Sequence, residues 1–148
     1  MLVLIIELCL EEEKPVSMKF ELSLNNINFK LMIKQNAKEN EWAEDLPPKC
    51  PPEAAYAPNY ETFYRLVKQF PPSEEDFYSH RKLYPEKSFN TNECRAKSLS
   101  IFSCFNECAK LLKLPLHRHK KIVQFILPPE SGVILQTGNN PAHYSWWK

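Results

Sequence analysis

Proton transfer near neutral pH needs a group that titrates there, and the chain has four histidines. His143 has the most suggestive company, because it opens the run His143-Tyr144-Ser145-Trp146-Trp147. An imidazole serves as acid, base or hydrogen-bond donor, which makes His143 the candidate catalytic group. Tyr144, Trp146 and Trp147 would line a planar ligand beside it. The same aromatic run would equally close a core as a last strand, since tryptophan is costly to leave in water. Arg65 is the second candidate, in Phe63-Tyr64-Arg65-Leu66-Val67. On a strand it shares a face with Phe63 and Val67, and a charge there needs a partner or a ligand phosphate. On a helix it faces water.

Two further clusters have plainer explanations. Cys104, Cys108, His117 and His119 have donor types that suit zinc. However, the two cysteines stand four apart on the apolar stripe of a helix, and free cysteine behaves there as a small hydrophobe. Core packing is therefore expected, with no metal. The run His117-Arg118-His119-Lys120-Lys121, with Lys110 and Lys113 nearby, has the charge to grip a nucleic-acid backbone. It lacks the flanking aromatic ladder that stacks bases, and a solvated turn is the plainer reading.

Composition removes several classes. Only two glycines occur, Gly132 and Gly138, so the glycine-rich loops of P-loop and Rossmann domains are excluded. Formal net charge is +1, which implies neither a nucleic-acid coat nor an acidic tail. Residues 1–44 hold five lysines and eight glutamates, so the remainder is mildly basic. The 148 residues, 43% apolar and 25% charged, fit one globular domain. Five cysteines, an odd number without a secretory signal, point to reduced thiols in the cytoplasm. The apolar run at residues 2–10 falls well short of the ~20 residues that span a bilayer, and no membrane partner is expected.

The elements that must hold these groups follow from periodicity. Phe20, Leu22 and Leu24 alternate with polar residues, as do Ile27, Phe29, Leu31 and Ile33. With Asn25-Asn26 as a two-residue turn, residues 18–33 form a β-hairpin that places every apolar pair on one face and Glu21 opposite Lys30. Residues 1–17 have two readings. They are an extra strand, or an over-extended start ahead of a true Met18, with the Glu11-Glu12-Glu13 codons as a purine-rich ribosome site. Residues 45–58 carry five prolines and form a connector or an extended wrap along the surface. Residues 18–44 are thus a hairpin region, and residues 59–148 a compact α+β domain.

Within that domain, residues 60–70 lean to a strand. Ser73 followed by three acids starts a helix that ends before Pro85. Residues 98–102 form a short strand, and Ser103 caps a helix that runs to about Lys113. Residues 122–127 are nearly all apolar and are expected as a buried central strand. A Pro-Pro turn leads to a strand at 133–137 and then to the aromatic tail. The expected fold is α+β: an N-terminal β-hairpin, a Pro-rich connector, then a small mixed sheet with one or two helices.

The order Tyr64-Arg65-Leu66, then Ser98-Leu99-Ser100-Ile101-Phe102 before a helix, then the strands at 121–127 and 133–137, resembles the layout of small ADP-ribosyltransferase-like domains. Residues 94–147 also resemble small uncharacterised bacterial proteins that end in a His-aromatic-Ser/Thr-Trp-Trp signature. The first resemblance implies NAD as cofactor, with Arg65 on a phosphate and Ser100 on the nicotinamide ribose. The chain departs from that pattern at the catalytic glutamate, where only Glu130, in the Pro-Pro turn, stands near. Two functional classes follow. One is a non-catalytic interaction or accessory module with a protein partner or a second copy of itself. The other is an NAD- or nucleotide-binding transferase, which requires Arg65, Ser100 and His143 or Tyr144 to converge on one cleft.

Overall fold

Among the described residues, five segments in which bulky apolar side chains dominate or alternate with polar ones form strands. They are β1 (Glu61–Val67), β2 (Leu99–Phe102), β3 (Lys121–Leu127), β4 (Val133–Gln136) and β5 (His143–Trp147). The computed structural model describes residues 42–148. The hairpin at residues 18–33 and both readings of residues 1–17 lie outside the described residues. The strands form one sheet in the order β3-β1-β2-β5-β4. Every neighbouring pair is antiparallel, so the mixed sheet expected from the sequence is replaced by an antiparallel one within the α+β class. Mixing needs parallel neighbours joined by crossover connections; here the chain returns from β4 to β5 through a short turn.

The sheet has two covered faces. Phe63 and Val67 of β1, Leu99 and Ile101 of β2, Val123, Phe125 and Leu127 of β3, Ile134 of β4 and Trp146 of β5 build the larger core with Phe77. The rings of Phe125 and Trp146 lie three strands apart in the sheet, yet their centroids are 5.9 Å apart. A flat sheet would separate those strands by ~14 Å, so the sheet curls around this core. On the convex face sits α3 (Phe105–Lys110), continued by a 3-10 turn at Leu111–Lys113. There Phe102, Cys108 and Ile122 are buried against Tyr64, Leu66, Phe105, Leu111 and Leu112. Cys108 packs as the small hydrophobe expected, and burial pushes its thiol up to about 12, against the pull of Arg65.

Several local expectations shift. The segment at 122–127 is mostly buried, as expected, but among the described residues β3 ends the sheet and is not central. Its concave-face side chains are buried in the larger core and Ile122 is buried under α3, and that coverage is what an apolar run reports; the hydrogen-bond partners of its backbone are a separate matter. Ser73 starts only a 3-10 turn, Glu74–Phe77, where the Asp76 carboxylate accepts bonds from the Ser73 N–H and hydroxyl at 2.9 and 3.1 Å. Ser79 then caps a separate short helix, α1 (His80–Leu83), by accepting from the Lys82 N–H at 3.0 Å. A third short helix, α2 (Glu93–Ala96), precedes β2. Cys104 takes the N-cap position of α3 in place of Ser103, whose N–H instead donates to the Ala142 carbonyl at 2.9 Å.

The proline-rich stretch lies along the domain as a wrap. Tyr56 exchanges backbone hydrogen bonds with Ile134 at 3.0 and 2.8 Å, and so closes the outer edge of β4. Cys50 is joined to Cys94, at the start of α2, by a disulfide. The expectation that all thiols are reduced is corrected here. An odd cysteine count is compatible with one bridge, and the fold brings these two Cα atoms to 5.5 Å, within bridging range. Among the described residues no helix is long and apolar enough to cross a membrane.

Candidate functional site

Strand alternation decides where the candidates point. Tyr144 and Trp146 face the concave core, where the Tyr144 ring stands edge-on to Phe63 at 5.5 Å. His143, Ser145 and Trp147 face the other side. Both tryptophans are buried, and each indole has its own carbonyl: Trp146 donates to Ser131 at 2.8 Å and Trp147 to Cys94 at 2.9 Å. Trp146 is part of the larger core, and Trp147 is buried where β5 meets α2.

Arg65 lies on the concave side, in register with Val123. Its Nε donates to the Asp76 carbonyl at 2.7 Å and its Nη1 to the Ser100 carbonyl at 2.6 Å. The partner that the sequence demanded for this charge is the chain's own backbone. Burial lowers the Arg65 pKa to about 10, with Asp76 pulling the other way, and the group stays charged at neutral pH. Ser100 offers Arg65 its carbonyl, and its Cα is paired with Ser145. Arg65 and Ser100 are thus brought together, and Ser100 and Ser145 are neighbours. Arg65 and His143 lie on opposite faces of the sheet.

The sequence missed the partners of His143. Its Nδ1 lies 2.9 Å from the Thr137 carbonyl and 3.1 Å from the Thr137 hydroxyl, which in turn lies 2.9 Å from the Ser145 hydroxyl. Donation to the carbonyl places the ring proton on Nδ1 and leaves Nε2 as the basic lone pair. Phe102 stands edge-on to the ring at 5.2 Å. Burial pushes the imidazole below its ordinary value, the Thr137 carbonyl opposes this, and Arg95 adds to the depression. The ring is therefore neutral at neutral pH, and in this chain it fastens the turn between β4 and β5. The signal in the sequence was Thr137, one residue past the end of β4 and six residues before His143.

A different feature concentrates unmet bonding capacity. Among the described residues β3 pairs with β1 alone, apart from one bond from the Tyr60 N–H to the Leu127 carbonyl at 2.9 Å. The strand is seven residues long and contains no proline, and five of its residues are apolar. Directly before it, residues 114–120 make a turn, held by His117 and Arg118 N–H groups on the Leu114 carbonyl. Leu114 is 49% exposed and Leu116 72% exposed. Lys113, Arg118, His119 and Lys121 are also exposed. The register places Val67 beside Lys121, so Lys68 and Lys120 meet at the same end of the edge. There burial, then Arg65 and Lys68, depress the Lys120 ammonium. The sequence named this basic run but treated it as a plain turn. The two leucines around Pro115 were the overlooked signal.

A shallow hollow with room for about 10 Å³ lies beside Lys97, Trp147 and Lys148, and none of Arg65, Ser100 and His143 lines it. No family model matches the chain, and no curated protein or solved structure matches it.

Proposed function

We propose that this chain is a non-catalytic interaction module that pairs with another polypeptide along the outer edge of β3. The observation that carries the reading is the contrast between the two ends of the sheet. The β4 edge is bridged by Tyr56, whereas the β3 edge has no strand beside it among the described residues. A long apolar strand edge is a template for strand addition, and proteins that do not use one blunt it with lysines, prolines, bulges or a covering loop; here Lys121 stands at one end and the six residues after it carry no charge. Exposed Leu114 and Leu116 beside that edge extend the contact surface. The NAD-binding alternative asks Arg65, Ser100 and His143 or Tyr144 to converge on one cleft; His143 lies on the face opposite Arg65, and Tyr144, on the same face, is packed against Phe63 in the core, which favours the module.

Selection of random displayed peptides on the full chain tests the reading. Bound peptides are expected to slow amide exchange in β3 and to leave β4 unchanged. Stabilisation by NAD or ADP-ribose that disappears in His143→Gln, with no peptide protecting β3, would instead establish the small-molecule role.

A further inference from the structure

We infer that the partner of this edge is an extended acidic segment with apolar residues at alternate positions; this identification rests on the strand-edge reading above. Charge is the first argument. Residues 110–129 contain five Lys or Arg and no Asp or Glu. Lys113, Arg118 and Lys121 are exposed. They have no acidic partner among the described ion pairs, where Lys110 is held by Glu107 and Lys68 by Glu75. The end of the edge at Lys121 is therefore a local excess of positive charge on a chain whose net charge is only +1. Complementary charge steers encounter and selects among strands that the backbone alone would accept equally.

Geometry supplies the second argument. An added strand sends alternate side chains to the two faces of the sheet. On the convex face it would meet Gln124 and Ile126, both only half-buried beyond the cover of α3. Exposed Leu114 and Leu116 stand in the turn that leads into β3. Apolar residues at every second position of the partner fit these surfaces, and acidic residues at its end beside Lys121 fit the basic turn. A nucleic acid would satisfy the lysines, but it offers no regular row of donors and acceptors to the strand edge. A second copy of this chain would bring the same basic stretch and leave the charge unneutralised.

Three ten-residue peptides test this. They share valine at alternate positions and carry glutamate, serine or lysine at the others. Binding to the full chain is measured by fluorescence anisotropy, with a single-stranded oligonucleotide alongside and sedimentation of the protein alone. The glutamate peptide is expected to bind at least about tenfold more tightly than the serine peptide at low salt. That preference should shrink as salt shortens the Debye length from ~10 Å toward ~3 Å. In the triple variant Lys113→Ser, Arg118→Ser, Lys121→Ser, all at exposed positions, the glutamate peptide should fall to the affinity of the serine peptide, whose own affinity stays unchanged. Equal binding of glutamate and serine peptides overturns the acidic partner and leaves the strand-edge module standing. Oligonucleotide binding without peptide binding, or a dimer whose β3 amides are protected, overturns it in favour of those occupants. If no peptide binds at all, both readings fall.

Discussion

Arg65 shows how one side chain read as functional becomes structural once its surroundings are known. Its guanidinium joins two carbonyls that would otherwise lack those bonds, one before α1 and one in β2. Arg65→Met keeps the apolar stem and removes the donors. It should cost about 1–3 kcal/mol, the usual penalty for leaving buried acceptors unpaired, read as a lower denaturant midpoint with an unchanged slope. His143 makes a pH prediction. Its pKa in the folded chain lies below the ordinary 6.5, so on acidification the unfolded chain takes up the proton first. Its contribution to stability is complete above about 6.5 and is lost as pH falls through the depressed folded value. His143→Gln should therefore show a shallower loss of thermal stability on the acid side than the parent, measured as Tm against pH. The sequence identified both residues as unusual. It did not reveal that Asp76, Ser100 and Thr137 answer them, because those contacts join segments the fold alone brings together.

At the scale of elements, the strands were legible and their order was not. Alternation and β-branched or aromatic enrichment mark β2 and β4 within one residue of their observed bounds and β1 within three, while β5 realises one of the two readings of the aromatic tail. The apolar run of β3 was legible as buried, but burial of side chains does not tell whether a strand has one backbone neighbour or two. Helices were over-extended. Ser73 and the acids after it describe a start, and the stop came early, since only a 3-10 turn fits before Ser79 begins its own cap. The turn between β3 and β4 rests on Gly132, whose φ is +116°. A Cβ there would lie 2.0 Å from the Trp147 carbonyl oxygen and 2.9 Å from the Lys148 Cα, both backbone. Gly132→Ala is thus expected to destabilise by at least about 1–3 kcal/mol, since strain at a glycine-only conformation adds to a clash that no side-chain rotation relieves. Urea unfolding followed by tryptophan fluorescence reads this directly, as Trp146 and Trp147 both flank the turn.

For the molecule as a whole, the curled sheet encloses its larger core on the concave side and carries α3 on the convex side, while the proline-rich wrap and the Cys50–Cys94 bridge fasten the β4 side. The edge of β3, which has no strand beside it among the described residues, and the basic turn before it lie at the other end of the strand order. This asymmetry is the basis of the functional account, and the amides of β3 test it most directly. In an edge strand, alternate N–H groups donate to the neighbour while the others point outward. Residue-resolved hydrogen exchange of the free chain should therefore show slow and fast amides alternating along Lys121–Leu127, and a bound acidic peptide should slow the fast set. Uniformly slow exchange in the free monomer, or fast amides that stay fast in the complex, would contradict the account.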